Sequence, residues 1–307
     1  MTSQFEPPPP PMKPPPGRPG RKLGPIADSV GSAHRAWLEP MRETYLTRGL
    51  TLSELSGRVC LAKSKISELL RGTGLYPRWE IIFSLSVELK MPYAPLYRLW
   101  RQAAFEAHKS REWVQRSSEK SAMTATHAAP PLDHRAFREL VEYDYVHYAQ
   151  VFLLDADQCD TVVSDTFDIL WLCWNDALAS PDTRRFAWNV LRATVMSRTP
   201  HLDGRPELGR AAFDTVTLRT LPSETDRMEQ VAETLELFTA MSRLPDQHLD
   251  VMVLRRLCGI GDQDVATLLG LPLATVRSDE RHAVHFLESV ICPQPETEQS
   301  ETEGITS

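Results

Sequence analysis

The side chains best suited to chemistry in this chain are basic and hydroxyl-bearing residues near the starts of two predicted helices. Ammonium and guanidinium groups bind phosphates, whereas hydroxyl and carboxylate groups can contact the edges of bases. A helix that presents such groups from its first turns suits the DNA major groove, which is wide enough for one helix. The first set is Lys63, Ser64, Lys65, Ser67, Glu68 and Arg71. The second set is Thr275, Arg277, Ser278 and Arg281.

Helical periodicity predicts the elements that position the first set. Apolar residues recur at helical spacing on two consecutive segments, so each segment has one inward face. The inward residues are Leu52, Leu55 and Val59 on the first segment, then Ile66, Leu69 and Leu70 on the second. The polar side chains of the second segment are therefore expected to point outward, as in a helix-turn-helix.

Residues 34–116 resemble the Cro/repressor-type helix-turn-helix family. The resemblance is carried by LTLSELSGRVCLAKSKISELLRG at residues 50–72, followed by Pro77, Trp79 and LYRLW at residues 96–100. It implies base contacts by Lys63, Ser64, Ser67 and Glu68, and phosphate contacts by Lys65 and Arg71. The alternative from the residues alone is a helical interaction domain whose charges are solvated.

A second tight turn lies between residues 262 and 287. Apolar residues at helical spacing precede Gly270, which can adopt the left-handed conformation of a helix end, and Pro272 suits the first turn of the next helix. This segment, with LPDQHLDVMVLRRL before it, resembles region 4 of bacterial sigma factors. The resemblance implies promoter contacts by Thr275, Arg277, Ser278 and Arg281.

Two residues of this motif depart from the sigma pattern. Asp279 and Glu280 stand where the family has a basic residue and a leucine, and an acid near phosphates is unfavourable. Glu280 also falls on the helix face of Val276, Ala283 and Leu287, where a buried carboxylate needs a partner. The motif is therefore predicted to have drifted toward packing or protein contact.

Residues 132–200 resemble region 2 of extracytoplasmic-function-type sigma factors, on the spacing of Val163, Phe167 and Trp171 and on a later Phe-x-Trp. The resemblance implies that one helix binds core RNA polymerase and that the next opens promoter DNA. Departures include Thr161, where the family has a second acid, and Val195, where it has asparagine. The candidate polymerase contacts are Asp160, Ser164, Asp165 and Asp168. The candidate melting residues are Arg184, Arg185 and Trp188.

Bulk composition narrows the class of protein. The chain has 307 residues, 42% of them hydrophobic, with a net charge of −7. Residues 36–116 hold 13 basic and 8 acidic side chains, or +5, whereas 131–203 hold 6 and 12, or −6. Five cysteines without paired metal-ligand spacing predict free thiols in a reducing cytoplasm. We expect no cofactor and no metal. We expect no membrane span, because no apolar run approaches the roughly 20 residues that cross a bilayer. We expect no enzymatic activity, because no phosphate-binding glycine loop or nucleophile elbow occurs.

The predicted fold is all-α, with three small helical domains, two of which contain a helix-turn-helix, and disordered termini. The division is a proline-rich arm 1–33, a helix-turn-helix domain 34–116, a linker 117–131, a region 2-like domain 132–200, a connector 201–235, a region 4-like domain 236–290 and an acidic tail 291–307.

Two functions fit this organisation. The first is a sigma-like transcription factor that directs or modifies RNA polymerase initiation. The alternative is a helix-turn-helix regulator, such as a repressor, whose degenerate sigma-like half is a protein-interaction module. The expected partners are promoter or operator DNA and core RNA polymerase, with an anti-sigma protein and a second copy of the chain as further possibilities.

Overall fold

A computed structural model describes residues 23–122, 129–208 and 234–291. These residues fold almost entirely into helices, which confirms the predicted all-α class. The acidic tail from residue 292, most of the arm (1–22), part of the linker (123–128) and most of the connector (209–233) lie outside the described residues. Within the described ranges, no helix combines the length and the apolar character needed to cross a bilayer.

The front part is a module of six helices around one aromatic-rich core. Trp37, Trp79 and Trp100 are fully buried at its centre. The N-terminus of α2 is fixed by a capping box, in which Thr51 and Glu54 each bond the other's backbone N–H. The helices are α1 (Ser32–Thr47), α2 (Leu52–Val59), α3 (Lys63–Leu70), α4 (Trp79–Glu88), α5 (Tyr93–Glu106) and α6 (Arg111–Ala122).

Part of the predicted arm is folded onto this module. The Ala27 N–H donates to the Arg71 carbonyl at 2.9 Å, and Arg42 donates to the Leu23 carbonyl at 3.4 Å. Val30 is buried in the module core. Residues 23–33 therefore differ from the disordered arm that was predicted, because their apolar side chains and backbone groups find partners beside the end of α3.

The predicted linker also differs from the structure at its start. Helix α6 continues to Ala122 instead of ending at 116. The hydroxyl of Ser117 accepts a hydrogen bond from the backbone N–H of Trp79 at 2.7 Å, and both Ser117 and Ser118 are buried. Small polar residues that look like a linker here are packed residues of a helix.

The rear part contains four helices, a two-stranded hairpin and a second group of helices. They are α7 (Leu132–Phe152), α8 (Ala156–Leu172), α9 (Trp174–Ala179), α10 (Thr183–Arg198), β1 (His201–Leu202), β2 (Arg205–Pro206), α11 (residues 234–241), α12 (Asp246–Met252), α13 (Asp262–Leu269) and α14 (Leu273–Ile291). The strands pair antiparallel. A π-helical turn, Val253–Leu257, continues α12.

One hydrophobic core joins the two segments predicted as separate sigma-like domains. It runs without interruption from α7 through α10 to α14. Its members include Tyr145, Phe167 and Leu191 from the first segment and Leu249, Val276 and Leu287 from the second. The rear part therefore packs as one body in which α10 lies against both α8 and α13.

Candidate nucleic-acid interface

Helix α3 has the division of faces that the sequence predicts. Ile66, Leu69 and Leu70 are buried in the front core. Lys63, Ser64 and Lys65, in the first turn, are exposed. Residues that could reach a major groove are thus held on a helix whose opposite side is fixed by packing.

The other predicted contacts of α3 are partly engaged within the protein. Lys65 Nζ lies 3.3 Å from Glu68 Oε2, and both side chains are about half exposed. Ser67 is half-buried, whereas Arg71 is exposed at the end of the helix. Because an exposed ion pair of this kind contributes little to stability, Lys65 can exchange Glu68 for a phosphate at small cost.

The loop after α3 adds a residue that the sequence did not single out. Gly72 and Gly74 have positive φ, of 67° and 88°, and a Cβ at Gly72 would lie 2.4 Å from Val30 Cγ2. Between these bends and α4, Leu75 is 85% exposed, and it lines the same small cavity as Lys65. The two glycines before Leu75 could have revealed this loop from the sequence, because they mark a turn that needs left-handed backbone.

The predicted C-terminal contacts lie on α14 as follows. Arg277 is exposed, and its Nε donates to Asp262 Oδ2 at 3.0 Å. Arg281 is exposed, and its Nε donates to the Arg277 carbonyl at 3.2 Å. Thr275 and Ser278 are half-buried. Two cations therefore face solvent near the start of α14, and Arg277 is tied to α13.

The two acids that depart from the sigma pattern both face inward. Glu280 lies 2.9 Å from Arg256 and 3.4 Å from Arg255, which confirms that it has cationic partners on the buried side of the helix. Asp279 is also buried, and it accepts a hydrogen bond from Gln247 Nε2 at 2.7 Å. The Asp279 carboxylate therefore contacts α12 and does not face solvent.

The predicted melting residues contact the C-terminal helices. Arg184 donates to the Thr267 carbonyl at 3.2 Å, and Arg185 donates to Gln247 at 3.5 Å. Trp188 is only 4% exposed. Its ring therefore cannot stack on an unpaired base in this arrangement, which corrects its predicted role.

Trp188 belongs to a buried polar cluster that fastens α7, α10 and α12 together. Asp250 accepts hydrogen bonds from Tyr148 at 2.7 Å, from Trp188 at 2.9 Å and from Arg192 at 3.0 Å. Burial raises the pKa of Asp250, and the charge of Arg192 and the three donors oppose that shift. The cluster supplies the buried Asp250 carboxylate with three hydrogen-bond donors.

The predicted acidic polymerase-facing edge of α8 is divided. Asp160 is exposed and Ser164 is half-buried. Asp165 and Asp168 are buried, and Asp168 receives two hydrogen bonds from Arg98 on α5, one of them at 2.7 Å. In this structure the front module covers half of the edge, so these two carboxylates do not face an outside partner.

Asp165 is predicted to make stability depend on pH. Burial raises the pKa of Asp165 from 3.8 to about 6, against the lowering effects of Gln102 and Arg198. A raised pKa means that its stabilising contribution is complete below pH 4 and is lost as pH rises through 6. The loss amounts to roughly 2–3 kcal/mol by pH 7.

Asp165→Asn, which cannot ionise, removes this loss. We compare the free energies of unfolding of the variant and the unsubstituted protein by urea titration. The difference in favour of the variant should grow by roughly 2–3 kcal/mol between pH 4 and pH 7.5. Exposed Asp160→Asn is the control and should leave the pH profile unchanged. Parallel profiles for Asp165→Asn and the unsubstituted chain would contradict the assignment.

Comparison with known proteins leaves the family open, since no protein-family model and no curated protein matches the chain. Within the ranges that the structure covers, no group of three His, Cys, Asp or Glu side chains is placed to hold a metal ion. The candidate interface therefore depends on its own geometry: an exposed basic helix start at α3, and a second, partly engaged one at α14.

Proposed function

We propose that this protein is a transcription regulator that binds duplex DNA through α3. The observation that carries the proposal is the exposed first turn of α3, with Lys63, Ser64 and Lys65 outward and Ile66 buried beneath them. A recognition helix needs both properties, because its polar end must enter the groove while its apolar side fixes its angle.

The charge of the surrounding surface supports the same function. Arg71 at the end of α3 and Arg78 after the loop are exposed, in a segment whose net charge is +5 (13 basic less 8 acidic side chains in residues 36–116). Cations that neutralise phosphates release counterions, which favours association at moderate salt. Leu75 supplies an apolar group beside them that suits the methyl group of thymine.

The first test replaces the two lysines of α3. Lys63→Ala with Lys65→Ala is expected to weaken binding of genomic duplex fragments about tenfold and to reduce the salt slope by about one, for the phosphate contact assigned to Lys65. Fluorescence anisotropy between 50 and 200 mM salt would measure both quantities. Arg111→Ala with Arg116→Ala is the charge-matched control, because both arginines are exposed on α6, a helix that packs on α4 and α5. Equal affinities for the double variant and the control would refute the proposal.

A second candidate function is sigma-like direction of polymerase by the rear part. It is favoured by Arg277 and Arg281, which are exposed near the start of α14, and by Asp160, which is exposed on α8. Trp188 and Asp168 are engaged inside the protein, so initiation would require a rearranged form. In vitro transcription with core polymerase distinguishes the two functions, since only the second produces new start sites.

A further inference from the structure

Helix α5 of the front module lies across one face of α8. Arg98 donates two hydrogen bonds to Asp168, and its guanidinium carbon lies 5.9 Å from the centre of the Trp171 ring. The pairing raises the pKa of Arg98, while burial raises the pKa of Asp168 despite the nearby guanidinium. The carboxylate thus depends on this arginine for its compensation.

A second ion pair joins the end of α5 to α10. Arg198 of α10 lies 2.5 Å from Glu106 at the end of α5, and 3.8 Å from Asp165. Gln102 of α5 also acts on Asp165, since it lowers the pKa of that carboxyl against the effect of burial. Both buried carboxylates of α8 therefore have cationic partners that involve α5. Arg98 of α5 pairs with Asp168, and Arg198, which pairs with Glu106 of α5, lies near Asp165.

Apolar contacts complete the interface and are few. Leu172 of α8 is buried with the front core, and Ile169 packs against that core. Beside these residues lies an open cleft of about 800 Å³, lined by residues of α1 and α10 and by Cys173. A polar interface next to a cleft resembles the contacts between domains that separate reversibly.

We propose that this face of α8 is an interaction surface for an external helix that carries an arginine between apolar side chains, and that α5 occupies it as an internal competitor. The chemistry of the partner follows from what α5 supplies: a guanidinium for Asp168 and Trp171, and apolar groups for Ile169 and Leu172. The front module then masks the surface until it is displaced. The inference rests on the second candidate function, in which the partner is core RNA polymerase.

The test changes residues of α5 and leaves the covered face of α8 unchanged. Arg98→Asp removes the main ion pair, and Arg98→Asp with Glu106→Gln removes both. Arg101→Asp, exposed on the same helix, is the charge-matched control. All variants are made in the full chain, and opening is measured by peptide-resolved thiol modification of Cys173, with Cys258 as an internal reference.

We expect the thiol reagent to modify Cys173 at least about fivefold faster in the double variant than in the unsubstituted protein. The immobilised double variant should also retain at least about fivefold more core polymerase on a column. Arg101→Asp should match the unsubstituted protein in both measurements. Combining Arg98→Asp with Asp168→Arg reverses the ion pair and should restore slow modification.

Three results would overturn the inference: unchanged Cys173 reactivity in the double variant, faster modification without greater polymerase retention, or full retention by the unsubstituted chain. DNA binding is measured on the same preparations. Its loss in the unsubstituted protein would refute the function proposed for α3 while leaving the masking of α8 in place.

Discussion

Replacing Asp250 by alanine is expected to lower the free energy of unfolding by about 3–5 kcal/mol. The substitution removes the buried counter-charge of half-buried Arg192, and it leaves the Tyr148 hydroxyl and the Trp188 indole N–H without acceptors. Each unsatisfied buried group adds a desolvation cost. Urea unfolding monitored by tryptophan fluorescence measures the change.

The matched control for Asp250 is Asp246, which binds the same arginine. Its carboxylate lies 2.9 Å from Arg192, but its side chain is 82% exposed. We expect Asp246→Ala to cost less than about 1 kcal/mol, because solvent screens an exposed pair and replaces the lost partner. Similar losses for the two variants would show that the buried cluster does not fasten the rear helices.

The second large effect is expected at Gly270, in the turn between α13 and α14. Its φ of 62° is left-handed, and an added Cβ would lie 2.6 Å from Asp182 Oδ1 and 2.8 Å from the Arg185 nitrogen. Asp182 caps α10 through that same oxygen. Gly270→Ala should therefore lower the free energy of unfolding by about 3 kcal/mol. The loss combines the cost of a left-handed alanine, the loss of the Asp182 cap and the displacement of the backbone at Arg185.

Gly259→Ala separates these contributions. Its φ is 71°, yet no atom lies within 4 Å of an added Cβ. The control variant should lose only about 1–2 kcal/mol, the cost of the backbone conformation alone. Hydrogen exchange at the start of α10 should rise in Gly270→Ala and stay unchanged in Gly259→Ala. Equal stabilities would mean that the turn does not pack on α10 in solution.

Local sequence patterns predict the helices and their buried faces well. The inward residues of α3 and the left-handed Gly270 follow from periodicity and from steric limits within a few positions of the chain. The requirement that Glu280 find a cationic partner follows in the same way, because its place on an apolar face is fixed by the helix period. These features depend only on neighbouring residues.

The partners of the candidate site residues could not be predicted in this way. Asp168 meets Arg98 across 70 positions, and Trp188 meets Asp250 across 62. Periodicity shows that a side chain lies on one face of a helix, but it does not say which distant element covers that face. The resemblance to sigma factors led to the same error, since it assigned outward roles to Asp165, Asp168 and Trp188.

The shared core of the rear part limits how this protein can be rebuilt. Helix α10 supplies Trp188 and Arg192 to the carboxylate of α12 and receives the turn before α14 against its own first residues. Exchanging α12–α14 for the corresponding helices of another regulator would leave three donors, Tyr148, Trp188 and Arg192, without the Asp250 carboxylate, and would uncover apolar surface of the rear core. The junction of a chimaeric protein should therefore lie between α6 and α7, so that all the helices of the rear part come from the same protein.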